Sequence, residues 1–258
     1  MKLKISLLVL FLFSVAAARA QNWGGGVDDE NVHFGFTFQY TGSSYKIRKK
    51  ENWRTPYKSL VDPSRGKITD SLNAVYGKSS PGFGIGFVVN GRVNNHIDVR
   101  LTPTLVFTDR LMEYEYGPYT NIGGNQVNNP ALTSAIEKKV IATMVEFPLG
   151  IKIKSDRRNN FRAYMLYGAK YSMDIASKKK SDDSQLDEEF KFLKNKKSYW
   201  SLEAAFGLDL YFEYFKMSPE IKLSYSLNDI VDRTEVNPYN NPINKLMLRH
   251  VTFSLFFE

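Results

Sequence analysis

The stretch VIATMVEFPLGIKI, residues 140–153, and the stretch FRAYMLYGAKYSMD, residues 161–174, joined by SDRRNN, decide how this chain folds. In the first arm Ile141, Val145, Phe147, Leu149, Ile151 and Ile153 share one face, while Glu146, Gly150 and Lys152 share the other. In the second arm Phe161, Ala163, Met165, Tyr167, Ala169, Tyr171 and Met173 oppose Arg162, Tyr164, Gly168, Lys170 and Asp174. Successive side chains on an extended chain point to opposite faces, so a sustained period of two means strands. Globular strands run to about 5–6 residues, and both arms are far longer. Strands of this length with one apolar and one charged face suit a β-barrel that crosses a membrane.

Working outward, the same alternation recurs. Upstream, NVHFGFTFQY (31–40) sets Phe34, Phe36, Phe38 and Tyr40 against His33, Gly35, Thr37 and Gln39. GFGIGFVVN (82–90) sets Phe83, Ile85, Phe87 and Val89 against three glycines, and IDVRLTPTLVFTD (97–109) sets Ile97, Val99, Leu101, Leu105 and Phe107 against Asp98, Arg100, Thr102 and Thr104. Downstream come strands over about 199–212, 215–227 and 246–258, the last ending VTFSLFFE, an aromatic-ended strand like those that barrel-assembly machinery recognises. The expectation is an all-β fold: an eight-stranded antiparallel transmembrane β-barrel. Its connections alternate long and short, which implies short periplasmic turns, long extracellular loops and both termini in the periplasm. Phe34, Phe161, Phe212, Phe215 and Phe257 fall near one set of strand ends, and Tyr40, Phe83, Phe107, Tyr171, Trp200 and Tyr225 near the other. Aromatic rings favour such interfaces, where one side is apolar and the other wet. A soluble barrel with an apolar interior would alternate in the same way; strand length, loop asymmetry, the leader and the terminal aromatics favour the membrane.

The chain opens with Lys2 and Lys4, an apolar run over 5–15 and Ala18-Arg19-Ala20, the pattern of a secretory signal peptide over residues 1–20. A segment over 21–30 then precedes the barrel, expected over 31–258. Loss of Lys2, Lys4 and Arg19 lowers the formal charge from +8 to +5. An exported chain rarely meets nucleic acid, so this balance does not argue for a nucleic-acid partner. With no cysteine there is no disulfide framework, lipoprotein attachment or thiol chemistry.

Eight strands enclose a space that side chains just fill. The expected inward charges are Arg100, Glu146, Lys152, Arg162, Lys170, Asp174, Glu203, Asp209, Lys216, Glu220 and Lys222. Both signs occur in similar number, so a lumen network that plugs the barrel is expected rather than a conducting pore. No cofactor or metal is expected. Gly82, Gly84 and Gly86 lie inside a strand, not in a phosphate-binding turn before a helix. His33, His96 and His250 lie apart, and Asp182, Asp183, Asp187, Glu188 and Glu189 lack calcium-loop spacing. His250 and Ser254 share a face, but nothing else marks a nucleophile and its base, so an enzyme is not expected. The basic segment after the first strand suits lipopolysaccharide phosphates or plain solvent.

The chain is similar to the PorT family (SprT in gliding bacteria). The stretches that carry the likeness are VHFGFTFQY with SSYKI and NWRTPY, then SPGFGIGF, then residues 145–180 from VEFPLGIKIK to ASKKK, and PEIKLSYSLND (219–229). The resemblance implies a non-enzymatic outer-membrane component of the type IX secretion system of Bacteroidetes. Its expected role is the export of proteins with C-terminal sorting domains and, in some species, gliding motility. Other components of that system would be its partners, with Asp156, Arg157 and Arg158 the candidate contact. The alternative is a small independent porin-like barrel, or one that binds a surface ligand or lipopolysaccharide.

Overall fold

A computed structural model of the chain describes residues 31–60, 62–117, 135–176, 183 and 186–258. The leader expected over 1–20 and the segment 21–30 lie outside the described residues. The described chain forms one sheet of 10 strands: β1 (Val32–Lys49), β2 (Leu72–Lys78), β3 (Ser80–Arg92), β4 (Ile97–Leu101), β5 (Thr104–Tyr116), β6 (Ala135–Lys154), β7 (Phe161–Asp174), β8 (Ser198–Tyr211), β9 (Lys216–Ser226) and β10 (Ile243–Phe257).

This corrects the eight-stranded barrel expected from the sequence, and the two differences have separate causes. The third expected strand is divided at Thr102-Pro103. Proline has no N–H to give the ladder, and the chain resumes as β5 one residue later. There the Pro103 carbonyl accepts from the Phe87 amide at 3.0 Å and the Thr102 amide donates to Pro148 at 3.1 Å. The second difference is β2, which lies in the first long polar segment and pairs with β5 from Leu72↔Tyr116 to Lys78↔Leu111. Here β5 outruns β3, whose pairing with it ends at Gly82↔Thr108, and leaves an edge that β2 covers. An uncovered edge would present unpaired amides and carbonyls.

β1 pairs with both β10 and β3, so the sheet closes on itself in the order β1–β10–β9–β8–β7–β6–β4–β3. β4 and β5 follow one another in the place between β3 and β6, and β2 stands outside this circuit. The seam is long and regular, running from Phe36↔Phe257 through Gly42↔Val251 to Arg48↔Lys245. The connections 93–96, 155–160 and 212–215 lie at the same end as residues 31 and 258; the chain leaves β1, β5, β7 and β9 at the other, after Lys49, Tyr116, Asp174 and Ser226. Asn159, in the second short turn, takes the left-handed conformation (φ 53°) that asparagine tolerates better than most side chains.

The two faces are inverted relative to a water-soluble fold. Outward stand Phe34 (71% exposed), Phe38, Phe87 (72%), Leu149, Phe206 and Val251, whereas Arg100, Lys152, Asp209 and Glu220 are buried inside. Inward residues near the loop end change character. Met112, Tyr114, Met144, Leu246 and Leu248 from the strands meet Leu193, Ile230, Val231 and Tyr239 from the connections in an apolar core. Burying each such side chain is worth about 1.5–3 kcal/mol, which is what draws the connections into the mouth of the ring.

Candidate functional site

The interior of the ring is built from alternation. Over the stretches that carry charge β4, β6, β7 and β9 turn their even-numbered positions inward and β8 its odd-numbered ones, so cations and carboxylates from all five converge. Nearest the termini, Arg100 contacts Glu220 at 3.0 Å and Glu258 at 3.5 Å, Lys152 contacts Asp209 at 2.7 Å, and Lys216 contacts Glu258 at 2.6 Å. Further in, Lys170 meets Glu146 at 2.9 Å and Glu203 at 3.3 Å, and Lys222 joins Glu203 to Glu220, each at 3.5 Å. The first group sets three cations against three carboxylates, the second two against two. Neutrality and direct pairing are what make buried charge tolerable, since an unpaired ion away from water is costly.

Of the remaining inward residues, Arg162 lies across from Asp209 in the register. Asp174 sits at the end of β7, where its carboxylate accepts the Ala176 amide at 2.8 Å. Several members of the interior were not singled out from the sequence. Glu258 follows the last strand, yet it keeps the parity of Ser254 and Phe256 and so points inward. Asp98 pairs with Lys154. The Tyr164 hydroxyl donates to Glu220 at 2.9 Å, and its ring lies beneath Lys152 at 3.9 Å. Ser218 donates to Asp209 at 2.6 Å, and Ser172 to Glu146 at 3.2 Å. Arg110, between the charged groups and the apolar core, donates to the Tyr199 hydroxyl at 3.3 Å. Parity along β5 was the available signal for it.

The other residues drawn from the sequence do not converge. His250 and Ser254 lie on one inward face but four positions apart on an extended strand, about 13 Å, with no hydrogen bond between them. His96 reaches Asp156 at 3.0 Å across two turns. Arg157 donates to the Asn159 carbonyl at 2.9 Å and stacks on Tyr211 at 3.9 Å, while Arg158 is exposed. Asp182 lies outside the described residues. Asp183 and Glu188 serve loop packing: Asp183 holds Lys194 and the Phe192 amide, and Glu188 accepts from Ser59 at 3.1 Å. Gly82, Gly84 and Gly86 face the β3–β5 seam, where a β-carbon on Gly82 would come within 2.6 Å of Phe107 and Thr108.

A closed sheet that is apolar outside and ion-paired inside needs a hydrocarbon surround. The family model described as "Outer membrane protein beta-barrel domain" matches residues 20–232 of the sequence. The chain belongs to that outer-membrane β-barrel family. It is a barrel of the outer membrane. No characterised protein matches it at the sequence level. Among solved structures it is similar to Neisserial surface protein A, with 8% identity and a TM-score of 0.36 over 88% of this chain and 98% of that one. It is also similar to Ail, the attachment invasion locus protein of Yersinia pestis, solved with the heparin analogue sucrose octasulfate, with 11% identity and a TM-score of 0.35 over 88% of this chain and 99% of that one. The narrower assignment expected from the sequence resemblance is corrected here. The matching family is the general barrel domain, and membership in PorT, a type IX secretion role and gliding motility are replaced by that assignment.

Proposed function

We propose that this barrel is closed to flow and works by binding, through the surface that the described parts of its long connections build at one end. The observation that carries this reading is the filling of the interior along its length. Paired charges occupy the half nearer the termini, and an apolar core with loop residues folded into it occupies the other. Such an interior supports a scaffold rather than a porin. The loops above it are joined to one another and to the ring: Tyr57 donates to the Val236 carbonyl at 3.2 Å, Asn237 to the Phe192 carbonyl at 3.0 Å, and Asn195 to the Tyr45 hydroxyl of β1 at 2.6 Å. Trp53 lies between Lys49, at 3.9 Å, and Arg54, at 5.0 Å. A polar cleft of about 190 Å³ opens between Lys194, Asp232, Thr234, Glu235, Asn237 and Asn240. Cationic and aromatic groups held in place with polar clefts beside them are what a surface ligand requires.

In this reading the loops face the outside and both termini the periplasm. The turn with Asp156, Arg157 and Arg158 is then a proposed contact for a periplasmic protein, with Arg158 the side chain that no described neighbour engages. The test uses whole cells. The native chain has no cysteine, so Leu60→Cys at an exposed loop position should react with a membrane-impermeant maleimide, and cells carrying the wild-type barrel should bind extracellular ligand that deletion cells do not. Export of proteins with C-terminal sorting domains should be normal in the deletion. Periplasmic retention of that cargo, or a cysteine shielded in intact cells and labelled in lysed ones, would overturn the proposal.

A further inference from the structure

The outward face of the seam between β1 and β10 carries four cations just beyond its apolar part. Going toward the loops, the outward positions of β10 read Phe253, Val251, Arg249, Met247 and Lys245, and those of β1 read Tyr40, Gly42, Ser44, Lys46 and Arg48. Arg48 is directly opposite Lys245, Ser44 is opposite Arg249, and Lys46, opposite Met247, is diagonal to both Lys245 and Arg249. All four cations are exposed. Lys46 leans toward Tyr225 with its ammonium 5.6 Å from the ring, and none of the four has a carboxylate within ion-pair reach among the described residues. Like charges directly across a strand pair repel, and direct neighbours lie about 4.5–5.5 Å apart at Cβ.

Another wall shows what this one lacks. Above the apolar band on β2, β5 and β6 the charges are neutralised within the protein. Lys78 pairs with Glu113 and, at 3.6 Å, with Glu137, Lys139 pairs with Asp109 at 2.7 Å, and Tyr76 donates to Glu115 at 2.9 Å. The β1–β10 seam therefore waits for anions from elsewhere. Their source follows from position: Arg249 is two residues above Val251, an exposed apolar side chain in the band that hydrocarbon covers, so the cluster begins where lipid headgroups begin. Its height, two to three residue pairs along a tilted strand, matches the headgroup layer, and arginine and lysine reach such a layer while their stems stay in the apolar phase.

We infer that Lys46, Arg48, Lys245 and Arg249 form a binding site for the phosphate groups of lipopolysaccharide packed against the β1–β10 seam. The inference rests on the loops facing outward, as proposed above; the Leu60→Cys labelling reads that orientation separately, so failure of one is distinguishable from failure of the other. The experiment is native mass spectrometry of the purified full chain, released from nanodiscs that contain lipopolysaccharide in neutral phospholipid. The wild-type barrel should retain lipopolysaccharide. The variant with all four cations changed to glutamine should hold it several-hundredfold more weakly, since each basic residue near an anionic surface contributes about fivefold. Lipopolysaccharide treated with phosphatase should be lost from the wild type, phosphatidylglycerol should be held less well, and free inorganic phosphate should not displace the glycolipid. A Lys78→Gln, Lys139→Gln barrel should behave as wild type. If the fourfold variant fails to give the heat-modified gel shift of a folded barrel, Arg249→Gln alone serves, with a several-fold loss expected. Equal retention by wild type and the variant, or equal retention of the dephosphorylated glycolipid, would overturn the site.

Discussion

Lys152 shows how narrowly the interior is balanced. It is fully buried, 2.7 Å from Asp209, and has no second carboxylate in ion-pair contact among the described residues. Lys152→Met removes the cation and leaves the buried Asp209 carboxylate without its ion-pair partner, at a cost of about 3–5 kcal/mol. Lys152→Met combined with Asp209→Leu removes both charges, keeps the group neutral and should recover most of that loss. Urea unfolding in lipid vesicles, followed by the heat-modified gel shift, separates the two; a single variant as stable as the double would show that the pair is not what holds the two strands' interior faces together. Gly207 makes a second prediction at this scale. A β-carbon there would run into the Tyr164 ring and lie 2.9 Å from the Pro219 carbonyl, so Gly207→Ala should cost about 1–3 kcal/mol by overpacking in the same assay, whereas Ala204→Gly on the outward face of the same strand should not clash with anything. These positions were legible in the sequence as one shared face of each strand, because parity alone groups them. Glu258 was not, because a residue past the last aromatic reads as a frayed end until the Lys216 backbone is seen to bond it in both directions, at 2.7 and 2.9 Å.

At the scale of elements, the loops carry a pH dependence of their own. Lys191 donates to Glu235 and, with Lys194 nearby, holds its carboxyl below the usual range. The Thr234 hydroxyl does the same for Asp232, against the effect of burial. Burial pushes Asp183 and Asp229 up, but Lys194 and the Phe192 amide in one case, and the Leu246 and Val231 amides with Arg233 in the other, outweigh it and leave both lowered. A carboxyl lowered in the folded state stabilises it above the unfolded pKa, about 4, and that contribution is lost as pH falls through the folded value. Trp53 fluorescence and protease nicking of the loops should therefore change below about pH 4, while the gel shift of the ring persists. Loss of both together would mean that the loops have no separate transition. The elements themselves were only partly legible. β7 matches its expected bounds of 161–174, whereas β1, β5 and β6 continue well past the membrane-length segments that alternation marks. Beyond the membrane both faces become polar or packed, and the period-two contrast between faces disappears although the hydrogen-bonded ladder goes on. β2 was invisible for the same reason, since LNAVYGK has no clean alternation and forms against an edge that only the overrun of β5 creates.

For the whole molecule, an interior that is ion-paired in one half and apolar in the other predicts no steady conductance in planar bilayers at moderate voltage. Cutting the fourth connection short, by replacing 230–241 with a brief glycine-serine turn, removes Ile230, Val231 and Tyr239 from the mouth but leaves the paired charges. Conductance should remain near zero; a pore of stable size would show that the loop plug, not the charge network, closes the barrel. A steady current through the wild type would defeat the closed reading altogether.

By itself the sequence determined that this chain is all-β, that its long strands alternate an apolar with a charged face, and that short and long connections fall at opposite ends. All of these follow from local periodicity, which needs no knowledge of what lies across the sheet. Only the tertiary structure decided which face is the inside, because alternation is the same for a barrel with an apolar interior and for one with an apolar exterior. Closure of β1 onto both β10 and β3 turns Phe34 and Val251 outward and brings Arg100 to Glu220 and Glu258. The count of strands, the division at Pro103, the apolar mouth and the unpaired cations of the β1–β10 seam were likewise decided there. Each depends on residues far apart in the chain that meet only when the ring is shut.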